Sequence, residues 1–165
     1  MSRIIKEYNH IRKLNALPDN MTTLHPVSNA TSDLSNWHSI ILGPKDSPYH
    51  NKSFLLEIHI PTEYPSIPPV IKFNKNSIPP HCNVNFTTGE ICLNILKNEN
   101  WSPVWNLLYS VQAIIQLLAY PDPSSPLNID LSRLLTLKDS KAYNSLIKYY
   151  LYNFPKPELI CDCEI

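Results

Sequence analysis

His81-Cys82-Asn83-Val84-Asn85-Phe86-Thr87-Thr88-Gly89-Glu90-Ile91-Cys92-Leu93 lies within a stretch, residues 74–100, that carries neither a helical nor a strand period. The stretch still gathers two of the four cysteines, one of the two glycines, a histidine and the apolar group Ile91, Leu93, Ile95 and Leu96. An irregular segment this long inside a small domain is usually functional. With so few glycines, Gly89 marks a turn leading into the segment, where a side chain would crowd an approaching chain.

Working outward, Val70-Ile71-Lys72-Phe73 reads as a short strand. Before it, Pro61, Pro65, Pro68 and Pro69 cannot donate to a ladder, so 61–69 is a shaped loop. Ser53 to Ile60 alternates apolar residues and pairs with Trp37 to Leu42 across the turn-rich Gly43-Pro44-Lys45-Asp46-Ser47-Pro48, a hairpin with one buried face. Pro18 to Ser35 is a long connection with room for one short strand. Ile4, Ile5, Tyr8, Ile11 and Leu14 give Ser2 to Leu17 the period of an amphipathic helix. On the other side, a central apolar helix is expected to start at Trp101-Ser102-Pro103, with Ser102 as cap and Pro103 in the first turn. Tyr120 to Pro126 ends it. A shorter helix follows over Leu127 to Leu137, and a last one over Asp139 to Phe154 buries Tyr143, Leu146, Ile147, Tyr150 and Leu151. A helix, a strand meander, an irregular segment and then segregated helices make an α+β fold. Residues 1–154 form one domain, and 155–165, after Pro155 and Pro157, form a short tail.

Composition narrows the function classes. Fourteen basic and fourteen acidic residues in 165 give zero formal charge, so no global field favours nucleic acid or an anionic membrane. No apolar run approaches the roughly 20 residues of a spanning helix, and the first residues lack a signal-peptide core. A soluble protein without direct membrane insertion is expected. Four cysteines are too few and too unevenly spread for a secreted disulfide scaffold, which favours reduced thiols in the cytosol. Cys161-x-Cys163 with a histidine lacks the paired spacing of structural zinc sites, so neither metal nor cofactor is expected.

Trp37…Gly43-Pro44…Ser47-Pro48-Tyr49, Tyr64-Pro65…Pro68-Pro69, His81-x-Asn83, Gly89-Glu90-Ile91-Cys92-Leu93 and Trp101-Ser102-Pro103 occur in the order of the ubiquitin-conjugating family. Over residues 1 to about 154 the chain resembles that family, which implies the ubiquitin-conjugating (UBC) fold. It also implies an acyltransferase working in an ATP-dependent pathway. In the family, the cysteine before leucine takes the C-terminal carboxyl of ubiquitin from an activating enzyme as a thioester, and Cys92 is the match. As a residue type, cysteine is also often a small buried hydrophobe. Asn83 occupies the family position that stabilises the oxyanion formed when the thioester is attacked. An asparagine in a loop also satisfies backbone groups, and both roles can hold together. His81 braces the loop.

Several departures resemble the peroxisomal branch of the family, whose yeast members are peroxins. Cys82 replaces the usual proline, and the Asn83–Cys92 and Cys92–Trp101 intervals are each one residue longer than usual. That branch implies recruitment by a membrane-anchored peroxin to the cytosolic face of the peroxisome, the cytoplasm being the broader setting. It also implies modification of the peroxisomal import receptor for recycling. Ser125 stands where the family often has an acid that assists an incoming lysine. Serine offers an ammonium less help, which favours a cysteine acceptor, although Ser124-Ser125-Pro126 is also a plain turn before a helix. The resemblance puts Arg3, Lys6, Ser66, Pro103 and Val104 on the surface shared by activating enzyme and RING ligases, and Gln112 and Gln116 against donor ubiquitin. A solvated helix face is the plain alternative for Arg3 and Lys6, and the glutamines need no partner. The non-enzyme alternative is a catalytically inactive UBC-like binding module.

Overall fold

The computed structural model describes residues 2–28 and 33–153. The tail, Phe154 and the cysteines Cys161 and Cys163 lie outside the described residues. Helix α1 (Arg3–Ile11) leads through β1 (His25–Pro26), β2 (Asn36–Leu42), β3 (Ser53–His59) and β4 (Val70–Phe73) to the irregular segment. A 3-10 turn at Asn94–Leu96 precedes α2 (Leu107–Ala119), α3 (Ile129–Thr136) and α4 (Ser140–Asn153). The strands form one antiparallel sheet in sequence order.

The alternation in β2 and β3 sets which face is buried. Trp37, Ser39 and Ile41 on β2, Phe54, Leu56 and Ile58 on β3, and Ile71 and Phe73 on β4 point into the core. Because side chains alternate across a strand, the intervening His38, Glu57 and Lys72 line up on the outer face, where Lys72 reaches Glu57 at 3.2 Å. Leu107, Val111, Ile114, Ile115 and Leu118 of α2 close the core from the inner side.

Three helix boundaries or faces differ from the sequence reading. The first helix stops at Ile11 rather than Leu17, because Lys13 and Leu14 donate to carbonyls only three residues back and the approach to Pro18 disfavours helix at Leu17. The central helix starts at Leu107, not at Trp101–Pro103. Asn106 is its cap, accepting the Tyr109 N–H at 2.8 Å, while Ser102 serves a separate turn by accepting from Val104. On α4 the buried stripe is Tyr143, Ile147 and Leu151, a strict four-residue row. Leu146 and Tyr150 fall at its exposed edge, where Tyr150 meets the ring of Phe86 at 5.9 Å.

Gly89 has φ +76°, and a Cβ there would stand 2.2 Å from the Phe73 carbonyl oxygen. The crowding neighbour is therefore β4, whose Phe73 N–H donates to the Gly89 carbonyl at 2.9 Å. This bond attaches the irregular segment to the sheet edge.

A buried carboxylate joins the first helix to the fourth-strand loop and to α2. Glu7 takes the Tyr64 hydroxyl at 2.8 Å and the Arg3 guanidinium on one oxygen, and the Leu107 N–H at 2.8 Å on the other. The last bond satisfies a donor that every helix start leaves open. Glu7→Ala should lower the free energy of unfolding by roughly 3 kcal/mol, because a buried charge-assisted network loses its acceptor. Urea denaturation of both proteins tests this; a loss under about 1 kcal/mol would mean that water replaces the carboxylate.

Candidate active site

Cys92 ends a tight hairpin whose turn is built by Asn85. The Asn85 side chain accepts the N–H groups of Thr87 and Thr88, and its backbone N–H donates to the Glu90 carbonyl at 2.9 Å. Val84 and Ile91 then pair as an antiparallel bridge. One residue further on, the Cys92 N–H donates to the Asn83 carbonyl at 2.8 Å. The thiol sits half-buried at the edge of this hairpin, with Ile91 and Leu93 packed against the core.

Asn83 is fully buried and its side chain spends every polar group on one loop. Nδ2 donates to the carbonyls of Asp122 at 2.6 Å and Ser125 at 3.0 Å, and Oδ1 accepts the Asp122 N–H at 2.9 Å. The Cys82 thiol adds a fourth contact to Oδ1 at 3.1 Å. Beside it the Cys82 carbonyl accepts two N–H groups, from Leu127 at 2.8 Å and Asn128 at 2.9 Å. Residues 82 and 83 thus staple the loop after α2 to the hairpin that carries Cys92. Both Asn83 amide hydrogens are engaged with backbone carbonyls, the bond to Ser125 being the longer.

His81 is also fully buried. Its Nδ1 accepts the Asn83 N–H at 3.0 Å, which leaves the proton on Nε2 to donate to the Leu117 carbonyl at 3.0 Å. The ring is neutral and braces the loop against α2, since burial pushes its pKa down to about 4. Tyr49 closes the same wall, its hydroxyl donating to the Pro80 carbonyl at 2.6 Å. Burial raises the Cys82 thiol to about 11, so it stays protonated, and it is enclosed where the Cys92 thiol is half-buried.

Ser125 is half-buried and contributes its backbone carbonyl to Asn83. The acid in this loop is Asp122, which the sequence reading passed over. Its Oδ1 accepts the Ser124 N–H at 2.9 Å and hydroxyl at 2.6 Å, a turn legible in the Asp-x-Ser pattern. These bonds, with the Lys97 ammonium nearby, hold the carboxyl below its ordinary range.

The residues expected on a partner surface divide. Pro103 and Val104 are exposed, and Trp101 Nε1 donates to the Pro65 carbonyl at 2.8 Å, which brings the exposed Ser66 to the same end. Tyr64, Trp101, Trp105 and Tyr109 run along it as successive ring contacts of 6.2, 5.7 and 5.8 Å. Arg3 is not a free cation there: its guanidinium binds Glu7 and the carbonyls of Pro103 and Trp105, each at 3.0 Å. Lys6, one turn on, is exposed. Gln112 and Gln116 share the solvent face of α2. No group of three or more potential metal ligands occurs among the described residues, and no helix there is long and apolar enough to cross a membrane.

The buried imidazole makes stability depend on pH with a defined sign. An unfolded chain protonates His81 below about pH 6.5, whereas the folded chain resists until about 4. The contribution is complete above pH 6.5 and is lost as pH falls from there to about 4, for a total on the order of 3 kcal/mol. Urea midpoints measured across this range should show a shallower acid slope in His81→Gln than in the native protein. Equal slopes would assign the acid sensitivity to other groups.

The family model for ubiquitin-conjugating enzyme matches residues 3–151. Ubiquitin-conjugating enzyme E2-21 kDa of Saccharomyces cerevisiae is 45% identical over 159 residues, covering 92% of this chain and 85% of that protein. Protein PEROXIN-4 of Arabidopsis thaliana is 38% identical over 149 residues, covering 90% of each. Among solved structures, the H. polymorpha ubiquitin conjugating enzyme Pex4p, in complex with the soluble domain of Pex22p, superposes with a TM-score of 0.80 at 39% identity. It covers 91% of this chain and 94% of that one. With a family match running from α1 into α4 and relatives this similar over most of both chains, the chain belongs to the ubiquitin-conjugating enzyme family.

Proposed function

We propose that Cys92 accepts the C-terminal carboxyl of ubiquitin from an activating enzyme as a thioester and, with a RING ligase, passes it to a protein acceptor. The observation that carries this is a half-buried thiol held at a fixed place by its own N–H on Asn83, while the second cysteine of the site is enclosed. In loading, the Cys92 sulfur forms the new bond to the ubiquitin carbonyl carbon as the activating enzyme's thiolate leaves. In discharge, the acceptor displaces Cys92 in turn. His81 braces the site, and Asn83 positions it and, on releasing Ser125, can donate to the oxyanion. Lys6, Ser66, Pro103 and Val104 form the surface for activating enzyme and ligase, with Arg3 shaping it from behind, and Gln112 and Gln116 face the donor ubiquitin. The catalytic unit is residues 1–154, followed by the tail.

Relatives named PEROXIN-4 and Pex4p, one of them solved with Pex22p, support a peroxisomal role. On this reading, a membrane-anchored peroxin holds the protein peripherally at the cytosolic face of the peroxisome, where it modifies the import receptor for recycling. A cysteine acceptor fits the lack of a carboxylate at Ser125. At neutral pH a thiol of pKa about 8.5 is a few per cent ionised, whereas less than roughly a thousandth of a lysine of pKa about 10.4 is neutral.

Incubation with activating enzyme, ubiquitin and ATP should yield an adduct that thiol reductants cleave. Cys92→Ser should give one that resists them, and Cys92→Ala none. Loading retained in Cys92→Ala would remove Cys92 from the role, and a native protein that never loads would be the inactive binding module. Asn83→Ala should cost roughly 2–3 kcal/mol of stability, since it strands the backbone groups of Asp122 and Ser125. Assayed where it remains folded, it should also slow transfer at least tenfold while charging changes less. Transfer equal to native per folded molecule would make Asn83 a brace alone.

A further inference from the structure

We infer that Cys82 is a positioning residue for transfer from Cys92: its thiol, donating to the Asn83 side-chain oxygen, fixes the orientation of that amide and strengthens the amide nitrogen as a hydrogen-bond donor. The inference rests on the proposed loading of Cys92 and on the oxyanion role proposed for Asn83.

A proline, usual at this position in the family, has no side-chain donor to offer. Here the thiol is buried and stands 3.1 Å from Asn83 Oδ1, which also accepts the Asp122 N–H at 2.9 Å. Turning the amide over would set its NH2 group against both donors, so these two bonds choose its orientation. With them in place, Nδ2 keeps its 2.6 Å bond to the Asp122 carbonyl when the 3.0 Å bond to Ser125 is released. The hydrogen freed from Ser125 is the one the oxyanion can take.

The thiol is itself held from two sides. The Cys82 carbonyl accepts the N–H groups of Leu127 and Asn128, which ties the backbone that bears the sulfur to the loop after α2. From α4, the buried Tyr143 hydroxyl approaches the sulfur without completing a hydrogen bond, and no other partner among the described residues takes it. A hydroxyl turned to the sulfur makes a chain of Tyr143 O–H, Cys82 S–H and Asn83 Oδ1, in which each donor polarises the next. Electron density drawn onto Oδ1 is lost from the amide nitrogen, whose free hydrogen then binds a developing negative charge more tightly. Such coupling strengthens a bond by about 10–30%, and an oxyanion donor is worth on the order of a hundredfold in rate, so the gain is about two- to fourfold. It falls on the tetrahedral intermediate, which lysine and cysteine acceptors share, and both should benefit alike.

The test is single-turnover discharge of ubiquitin-loaded enzyme to free lysine and to free cysteine, counted per folded molecule. Cys82→Ala should slow both about two- to fourfold, and Cys82→Ser, which keeps a donor, should recover most of the loss. In an Asn83→Ala background, Cys82→Ala should slow discharge no further, because the thiol acts only through that amide. Infrared spectroscopy supplies a second measurement: the S–H stretching band that Cys82→Ala removes should lie below the frequency of an unbonded thiol and rise in Asn83→Ala. Native rates in Cys82→Ala, a serine no better than alanine, the same slowing with Asn83 absent, or a band at the unbonded frequency would overturn the inference while leaving the thioester intact. Failure of the native protein to load Cys92 at all would overturn both readings, and is distinguished by the absence of any reducible adduct.

Discussion

Asn83 faces two ways, and the site depends on it. Its main chain completes the ladder that ends at Cys92, while its side chain replaces three hydrogen bonds that the loop after α2 cannot make within itself. A buried amide with all its valences used is rigid, because each alternative rotamer strands a backbone group at a cost of about 1–3 kcal/mol. The position of the Cys92 sulfur relative to the loop after α2 is thereby set by one residue. His81 extends the constraint to α2, since its ring fixes the Asn83 N–H on one side and the Leu117 carbonyl on the other.

Glu7 plays the corresponding part at the opposite end of α2. It caps the helix through the Leu107 N–H and gathers α1 and the Tyr64 loop around that end. The two polar nodes thus bracket a helix whose buried face is apolar. The helix cannot slide over the sheet without breaking one of them, which gives the site and the exposed end near Val104 a common rigid reference.

Where local pattern dictated structure, the sequence was readable. The alternation in Ser53–His59 and Asn36–Leu42 specified a hairpin with one buried face, and the motifs around His81, Asn83 and Cys92 pointed to a site that the fold does bring together. Long-range partners were not readable. Nothing near Arg3 in sequence announces that carbonyls a hundred residues later will occupy its guanidinium, and Ser102 and Asn106 are both good caps, so Glu7 decided between them. The engagement of both Asn83 amide hydrogens depends in the same way on a loop some forty residues on. Asp122 is a different case. Its turn with Ser124 is a local signature, an aspartate two residues before the serine it accepts from.

The row of rings from Tyr64 through Trp101 and Trp105 to Tyr109 has an optical consequence. Two of the three tryptophans of the chain stand in that row, beside the exposed Val104, and the third, Trp37, is sealed in the core. Indole emission shifts with the polarity of its surroundings, so the half-buried Trp105 will report on whatever excludes water from this end, while Trp37 supplies a constant background. The molecule carries its own fluorophore at the end proposed to meet its partners, and association there can be followed without a label.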